Sequence, residues 1–209
     1  MTTPRPTSEE AILDAAEQVF ADSGYGGASM RKIAQMADVP QALLHYHFHT
    51  KDGLYAAVFE RRSAVINAER RSRLKELRAD GTPTVESLLY CYYRPVMTGT
   101  GVGNLAFAQL VASIAVGSDE RSRELMMRFY DPIAREFIEA MMESEPRLGR
   151  GVAVRSYLFA LGARAYASPL SDRASRLMSD DGDAPDAEQT LDLLVTFVAA
   201  GIRALAAGR

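Results

Sequence analysis

Residues 29–54, SMRKIAQMADVPQALLHYHFHTKDGL, carry the signals that decide the fold. Ser29 is a good helix cap, and Met30, Ile33, Ala34 and Ala37 follow at helical spacing. Asp38 and Val39 break that pattern. Pro40 then opens another short helix, at a position where its missing N–H costs nothing. Leu44 and Phe48 fall four apart on one face. The spacing predicts helices over 29–36 and 40–48 joined by a tight turn, the dimensions of a helix-turn-helix. In such a unit the second helix enters the major groove with its N-terminal residues on base edges. Leu44 and Phe48 would hold it to a core, leaving Gln41, Ala42, Leu43, His45, Tyr46 and His47 to meet DNA. Gln can bond adenine twice, apolar groups suit the thymine methyl, and His or Tyr can reach phosphate oxygens. Ser29 and the N–H groups beside it suit a phosphate, with Arg31 and Lys51 supplying charge nearby.

The same stretch holds all three histidines of the chain, so a metal site and catalysis are competing readings. At about 3.6 residues per turn, His45 and His49 lie about 40° apart while His47 points almost oppositely. Three ligands from one helix therefore cannot close on one ion. A metal-dependent enzyme would need His45, His49 and a carboxylate from elsewhere. A helical interaction module that binds no DNA would need only the surface of the helix. No nucleophile with a spaced partner and no glycine-rich phosphate loop stands out, so neither an enzyme nor a cofactor is expected.

Working outward, every segment reads as helix. Thr7 or Ser8 caps the first, in which Ile12, Ala15, Ala16, Val19 and Phe20 repeat, and Ser23-Gly24-Tyr25-Gly26-Gly27 stops it. A long helix runs from Lys51 to about Arg78, with Leu54, Val58, Val65 and Leu74 as its buried stripe. Its basic later half (Arg70, Arg71, Arg73, Lys75, Arg78) reads as a solvated face with pairs such as Glu69–Arg73. Further helices are expected near 83–98, 102–116, 118–144, 150–168 and 186–207. Breaks fall at Gly99-Thr100-Gly101, Gly117-Ser118, Glu145-Pro146 and the acidic stretch 179–186. The fold class is all-α with about nine helices. The expected domains are an arm and DNA-binding region over 1–50, a linking helix over 51–80 and a C-terminal domain over 81–209. One cysteine, Cys91, excludes an intramolecular disulfide and fits the cytoplasm. The polar start MTTPRPTSEE does not resemble a signal peptide, and 102–118 is too short and mixed to span a bilayer.

The set SMRKIA, LLHYHF and TKDGL, in this order after a helix ending at "GY", resembles the DNA-binding domain of the tetracycline-repressor (TetR) family over the first 60 or so residues. The resemblance implies a homodimer whose recognition helices read a palindromic DNA operator, and a larger C-terminal domain that binds a small molecule and dimerises. The family's DNA contacts fall on Arg31, Gln41, Ala42, Leu43, His45, Tyr46, His47 and Lys51. Pro40 and His45 depart from the family pattern, which commonly has a small hydroxyl residue and a tyrosine there. Residues 1–63 hold six basic side chains against eight acidic ones, most of the acids on the first helix. A shallow dependence on salt, and binding that strengthens towards pH 6, are expected from so few phosphate charges.

The C-terminal half is less legible. GSDERSRELMMRFYDPIAREFIEAMM followed by RSYLFALGARAYA resembles a subset of these regulators, some of which respond to fatty acids or their thioesters. From the residues alone, Tyr90, Tyr93, Met97, Phe107, Leu110, Met126, Phe129, Tyr130, Ile133, Phe137, Tyr157, Phe159 and Tyr166 suit an apolar cavity or ordinary core packing. Arg94 and Arg164 stand in otherwise apolar stretches and suit a ligand carboxylate or a structural acid. Ala160 and Ala163, with Leu191, Leu194, Val195, Val198 and Ile202, are expected at a two-fold dimer interface. The expected partners are operator DNA, a second copy and a small effector, with no membrane. Effector binding would move the long helix and pivot the DNA heads, shifting the population away from the DNA-competent state.

Overall fold

Thr7 starts the first helix by a reciprocal cap. Its hydroxyl accepts from Glu10 N at 3.2 Å, while the Glu10 carboxylate accepts from Thr7 N at 2.8 Å. The computed structural model describes residues 7–98, 105–167, 176–177 and 186–208. The expected loose arm, the Gly99-Thr100-Gly101 break and nearly all of the acidic stretch lie outside the described residues. The described helices are α1 (Ser8–Gly27), α2 (Met30–Met36), α3 (Gln41–Phe48), α4 (Lys51–Ala79), α5 (Val85–Met97), α6 (Leu105–Val116), α7 (Glu120–Phe129), α8 (Asp131–Ser144), α9 (Arg150–Tyr166) and α10 (Ala187–Ala206). The fold is all-α, with no strand among the described residues.

The reading of 118–144 as one helix is corrected. Pro132 has no N–H and its ring collides with the carbonyl four residues earlier, so a helix is kinked or broken there. Tyr130 leaves helical geometry (φ −120°, ψ −36°), and Pro132 sits in the first turn of α8, where proline is tolerated.

The chain divides into two compact units. The first comprises residues 1–64 and 104–129, and the second 65–103 and 130–209. This differs from the expected division, because α6 and α7 join the helix-turn-helix instead of a C-terminal domain over 81–209. In the first unit α1 packs against α2 and α6, α2 against α3, and α6 against α7. Its core holds Ile12, Ala16, Val19, Phe20, Ile33, Leu44, Leu54, Val58 and Phe59. Phe107 of α6 lies 5.7 Å, ring to ring, from Phe59. Glu17 is only 1% exposed and receives two hydrogen bonds from Arg62 (2.7 and 3.0 Å) and one from Arg61 (3.5 Å).

In the second unit α5 packs against α8 and α10, and α9 against α8 and α10. The residues expected at a dimer interface lie against this unit's own core in the protomer. Leu191, Leu194, Val195, Val198 and Ile202 form the inward stripe of α10, and Ala160 is likewise buried in the unit's own core. Ala163 is partly buried against that core. The outward faces carry different residues: Leu158, Phe159 and Tyr166 on α9, and Leu193 and Phe197 on α10. By length and composition α10 is apolar enough to cross a membrane, yet its inner stripe is packed in protein core. The α4 stripe also needs correction: Val65 is exposed, while Ile66, Asn67, Arg70 and Leu74 point inward.

Candidate nucleic-acid interface and effector cavity

The helix-turn-helix is fastened by local bonds. Ser29 caps α2, its hydroxyl accepting from Lys32 N at 3.2 Å. Asp38 takes a left-handed conformation (φ 53°), which lets Val39 N donate to Ala34 O at 3.1 Å and turns the chain into α3. Pro40 stands at the N-cap of α3 without a side-chain cap bond, so the first N–H groups of α3 are not capped by it. Leu44 is fully buried and Phe48 half-buried, which fixes one face of α3. Gln41, Ala42, His45 and Tyr46 are exposed, and Leu43 and His47 half-buried. Gly53 of the TKDGL segment is required by a close approach: a Cβ there would meet Phe48 O at 2.4 Å.

The histidines do not converge. His49 lies beyond the end of α3 with φ 59°, so it no longer shares the helical face of His45. His45 Nδ1 faces the His49 carbonyl at 3.2 Å, and its Nε2 lies 3.4 Å from the Gln41 side-chain nitrogen. A carbonyl only accepts, so Nδ1 carries the proton and Nε2 is the acceptor. Among the described residues no group of three His, Cys, Asp or Glu side chains is placed to hold a metal.

The charge around α3 is sparse. Arg31 is exposed, and Lys32 Nζ donates to Ser23 Oγ at 3.2 Å. Lys51 Nζ donates to the Ala28 carbonyl at 2.8 Å and stands 4.3 Å from the Tyr25 ring centre. The Arg121 guanidinium lies over the same ring, 3.5 Å from its centre. Asp52 accepts from both Arg121 Nε (2.6 Å) and Tyr25 Oη (2.8 Å). The Arg121 bond, then the Tyr25 bond, hold the Asp52 carboxyl below the ordinary carboxylate range. Arg61 and Arg62 are spent on Asp14 and Glu17. Sequence reasoning missed the Tyr25–Asp52–Arg121 cluster. Its only sequence signal is the "GY" ending, since nothing in the spacing joins residues 69 apart.

Two family models match. One, described as the tetR family of bacterial regulatory proteins, covers residues 12–58, and the other, the tetracyclin repressor-like C-terminal domain, covers residues 90–201. The chain belongs to the TetR family. It is a helix-turn-helix, DNA-binding transcription regulator. One similar protein, the transcriptional activator FasR of Mycolicibacterium smegmatis, is 43% identical over 58 residues, which is 28% of this chain and 26% of FasR. The chain spans 26% to 46% of the length of the first curated relatives that it matches. Among solved structures, the fatty acid degradation regulator FadR from Bacillus halodurans superposes with a TM-score of 0.66 at 16% identity, covering 96% of this chain and 99% of that one. A TetR-like regulator from Rhodococcus sp. RHA1 gives 0.63 at 19% identity, covering 97% and 99%. Identities this low speak for the fold.

TetR regulators typically place their effector site in the C-terminal domain. The second unit contains a narrow apolar slit, with a cavity volume of about 20 Å³, lined by Val85, Leu88, Leu89, Tyr92, Tyr93, Phe137, Met141, Tyr157 and Ala160. Of the expected pocket residues, Tyr93, Phe137 and Tyr157 line it. Phe107, Leu110, Met126 and Phe129 lie in the first unit with α6 and α7. Tyr130 and Ile133 are buried in the second unit, and Met97 packs partly against its core. Tyr90 and Arg94 flank a separate, open groove; Tyr90 Oη donates to Asp192 at 2.7 Å and Arg94 pairs with Glu188 at 2.9 Å. Arg94 thus has a structural acid, whereas Arg164 has none among the described residues. The slit residues missed by the sequence reading, Val85, Leu88, Leu89 and Tyr92, repeat at helical spacing along α5 and were legible as one face.

Proposed function

We propose that the chain is a ligand-responsive repressor that binds a palindromic operator as a homodimer and is released by a small, largely apolar effector held in the second unit. The observation that carries this reading is α3: a helix pinned by buried Leu44 and showing Gln41, Ala42, His45 and Tyr46 to solvent, with Tyr46 75% exposed. A large aromatic so exposed on an eight-residue helix has no packing role, but it suits a groove contact. Arg31, Ser29 and Lys51 supply phosphate contacts in this reading, with Leu43 and His47 at the edge of the base-reading face.

Dimerisation is supported by the neighbouring outer faces of α9 and α10. Phe159 and Tyr166 are 64% and 82% exposed, and Leu193 and Phe197 63% and 74%, an apolar area that a lone protomer would leave in water. Gly162 and Gly201 on these helices have open space beside them, which allows close helix approach in a two-fold four-helix arrangement. Effector action is a population shift: the ligand lowers operator affinity only by binding the DNA-incompetent state more tightly. No enzymatic role is assigned, and the cytoplasm is the fitting compartment for a DNA-binding regulator.

The test is enrichment of bound fragments from random DNA, then titration of the best site in about 150 mM salt. An enriched palindrome bound by two protomers, far tighter than random DNA, supports the proposal. No enrichment at low salt from refolded protein overturns it. FasR is an activator, so the direction of control is read separately, from the position of the selected site relative to a promoter and from expression in a deletion strain.

A further inference from the structure

The last turn of α3 closes on itself. His49 follows the helix with φ 59° and ψ −55°, a setting that residues with side chains seldom adopt. Its N–H donates to the His45 carbonyl at 3.1 Å, and its own carbonyl accepts from His45 Nδ1 at 3.2 Å. The two residues are joined by a reciprocal pair of bonds, one of them to the imidazole. A carbonyl can only accept, so this bond assigns the proton of the neutral ring to Nδ1. Nε2 is left as a bare acceptor.

Gln41, the first residue of α3, stands one turn earlier on the same face. Its amide lies 3.4 Å from His45 Nε2. At this length the bond is weak and contributes little to stability. Its sense is decided all the same. Oε1 against Nε2 would set two lone pairs face to face, whereas the NH2 group donates. The amide is thereby turned with one N–H on His45. Its Oε1 and its second N–H are left for a partner outside the protein, and both side chains are exposed.

An acceptor beside a donor is the pattern that adenine matches in the major groove, through its N6–H2 and N7. Guanine offers two acceptors there, O6 and N7, and so opposes an outward Oε1. A glutamine amide that is free to turn over presents its N–H groups to guanine instead. One held by a neighbouring acceptor does not.

We propose that His45 is a positioning residue for base recognition: held by its Nδ1–H on the His49 carbonyl, it keeps the Gln41 amide in the orientation that selects adenine over guanine. The proposal rests on the reading of α3 as the base-contacting helix. It gives His45 a part in specificity that needs no DNA contact of its own.

Two measurements on the whole protein test it. The first needs no DNA. Protein made with histidine labelled in its ring nitrogens is examined by long-range proton–nitrogen correlation at about pH 8, where imidazoles are ordinarily neutral. The chain has three histidines, and H45A identifies the His45 signals by their loss. The expected spectrum shows His45 as the Nδ1–H tautomer. The Nε2–H tautomer, or fast exchange between the two, overturns the proposal.

The second measurement substitutes each base pair of the selected operator in turn, and the position read by Gln41 is the one whose preference falls in Q41A. The preference for adenine over guanine there is compared among wild type, Q41A, H45A and Q41A/H45A by competition titration in about 150 mM salt. H45A should lower it about fivefold or more, the lower end of what a bidentate base contact discriminates. In the Q41A background H45A should change it by less than about twofold, because the two residues act as one unit. Equal effects of H45A in both backgrounds would mean that His45 reads the base itself, and they overturn the proposal. So do a preference unchanged in H45A, a Gln41 position that does not select adenine, and a fall spread evenly over every base pair, the mark of a loosened helix. If no operator can be selected, the regulator reading falls and takes this proposal with it. An operator that responds to Q41A but not to H45A removes this proposal alone.

Discussion

Glu17 sits at the centre of the first unit's polar core, and replacing it with glutamine tests how that unit is held. The carboxylate is 1% exposed and accepts three hydrogen bonds from Arg61 and Arg62. Hydrogen bonds to charged groups are worth about 1.5–3 kcal/mol each, but they do not add. Glutamine keeps one acceptor oxygen. The two arginine side chains are 25% and 21% exposed, so water partly screens the charge left behind. The loss should therefore fall near the lower end of the range for a broken buried pair, about 3 kcal/mol. With a urea slope of about 3 kcal/mol per molar, that is a midpoint lower by about 1 M. Urea titration followed by far-UV circular dichroism measures it, at fixed protein concentration because the proposed dimer would make the midpoint depend on concentration. The double variant E17M/R62M, which removes most of the pair together, should lose less than E17Q alone. A midpoint shift below about 0.3 M for E17Q would refute the claim that this pair fastens α1 to α4.

Three further outcomes follow from geometry. R121A removes the cation from the Tyr25 ring and from Asp52. Asp52 has a lowered pKa, so its share of stability is present above the ordinary value of 3.8 and lost as pH falls through the lowered one. Melting curves from pH 5 to 2 should show a shallower acid loss in R121A than in wild type. R31A should weaken binding to operator and random DNA alike and reduce the salt slope by about 1 per protomer, whereas Q41A should reduce discrimination between sequences. Filter-binding titrations at several salt concentrations tell these apart, and the reverse pattern would exchange the two assigned roles. F197D places a charge on the outer face of α10, 74% exposed in the protomer, and should yield a folded monomer in sedimentation equilibrium with much weaker operator binding. A dimer unaffected by F197D would mean that another surface pairs.

The helix-turn-helix was legible because its signals are local: Ser29 caps, Leu44 and Phe48 share a face, and Gly53 leaves room for a carbonyl. Membership of a unit was not legible. The apolar positions of α6 state that it packs, not what it packs against, and α6 lies with α1. The division between α7 and α8 was written in Pro132 and should have been read. Arg70 shows how charge misleads. Grouped with Arg71, Arg73 and Lys75 it looks like a solvated face, and Arg73 does pair with Glu69 at 2.7 Å as such a face predicts. Yet Arg70 stands four residues from both Ile66 and Leu74, on the buried stripe, so position outweighed chemistry. The two sides of α10 were not separable for a related reason: a helix with one apolar face inward and another outward reads from sequence as a single broad stripe.

The buried tyrosines of α5 and α9 give the molecule its own optical gauge. Tryptophan is absent, so near-ultraviolet absorption comes chiefly from tyrosine. Burial raises the Tyr93 and Tyr157 hydroxyls well above the ordinary value of 10. Tyr93 and Tyr157 can form their phenolates only when their unit opens. The folded state therefore holds these protons above pH 10, and its stability falls as pH rises beyond that point. An alkaline titration read as phenolate absorbance should contain an abrupt step for these two. The abrupt step reports when the slit comes apart, and an effector bound by the second unit should push that step to higher pH.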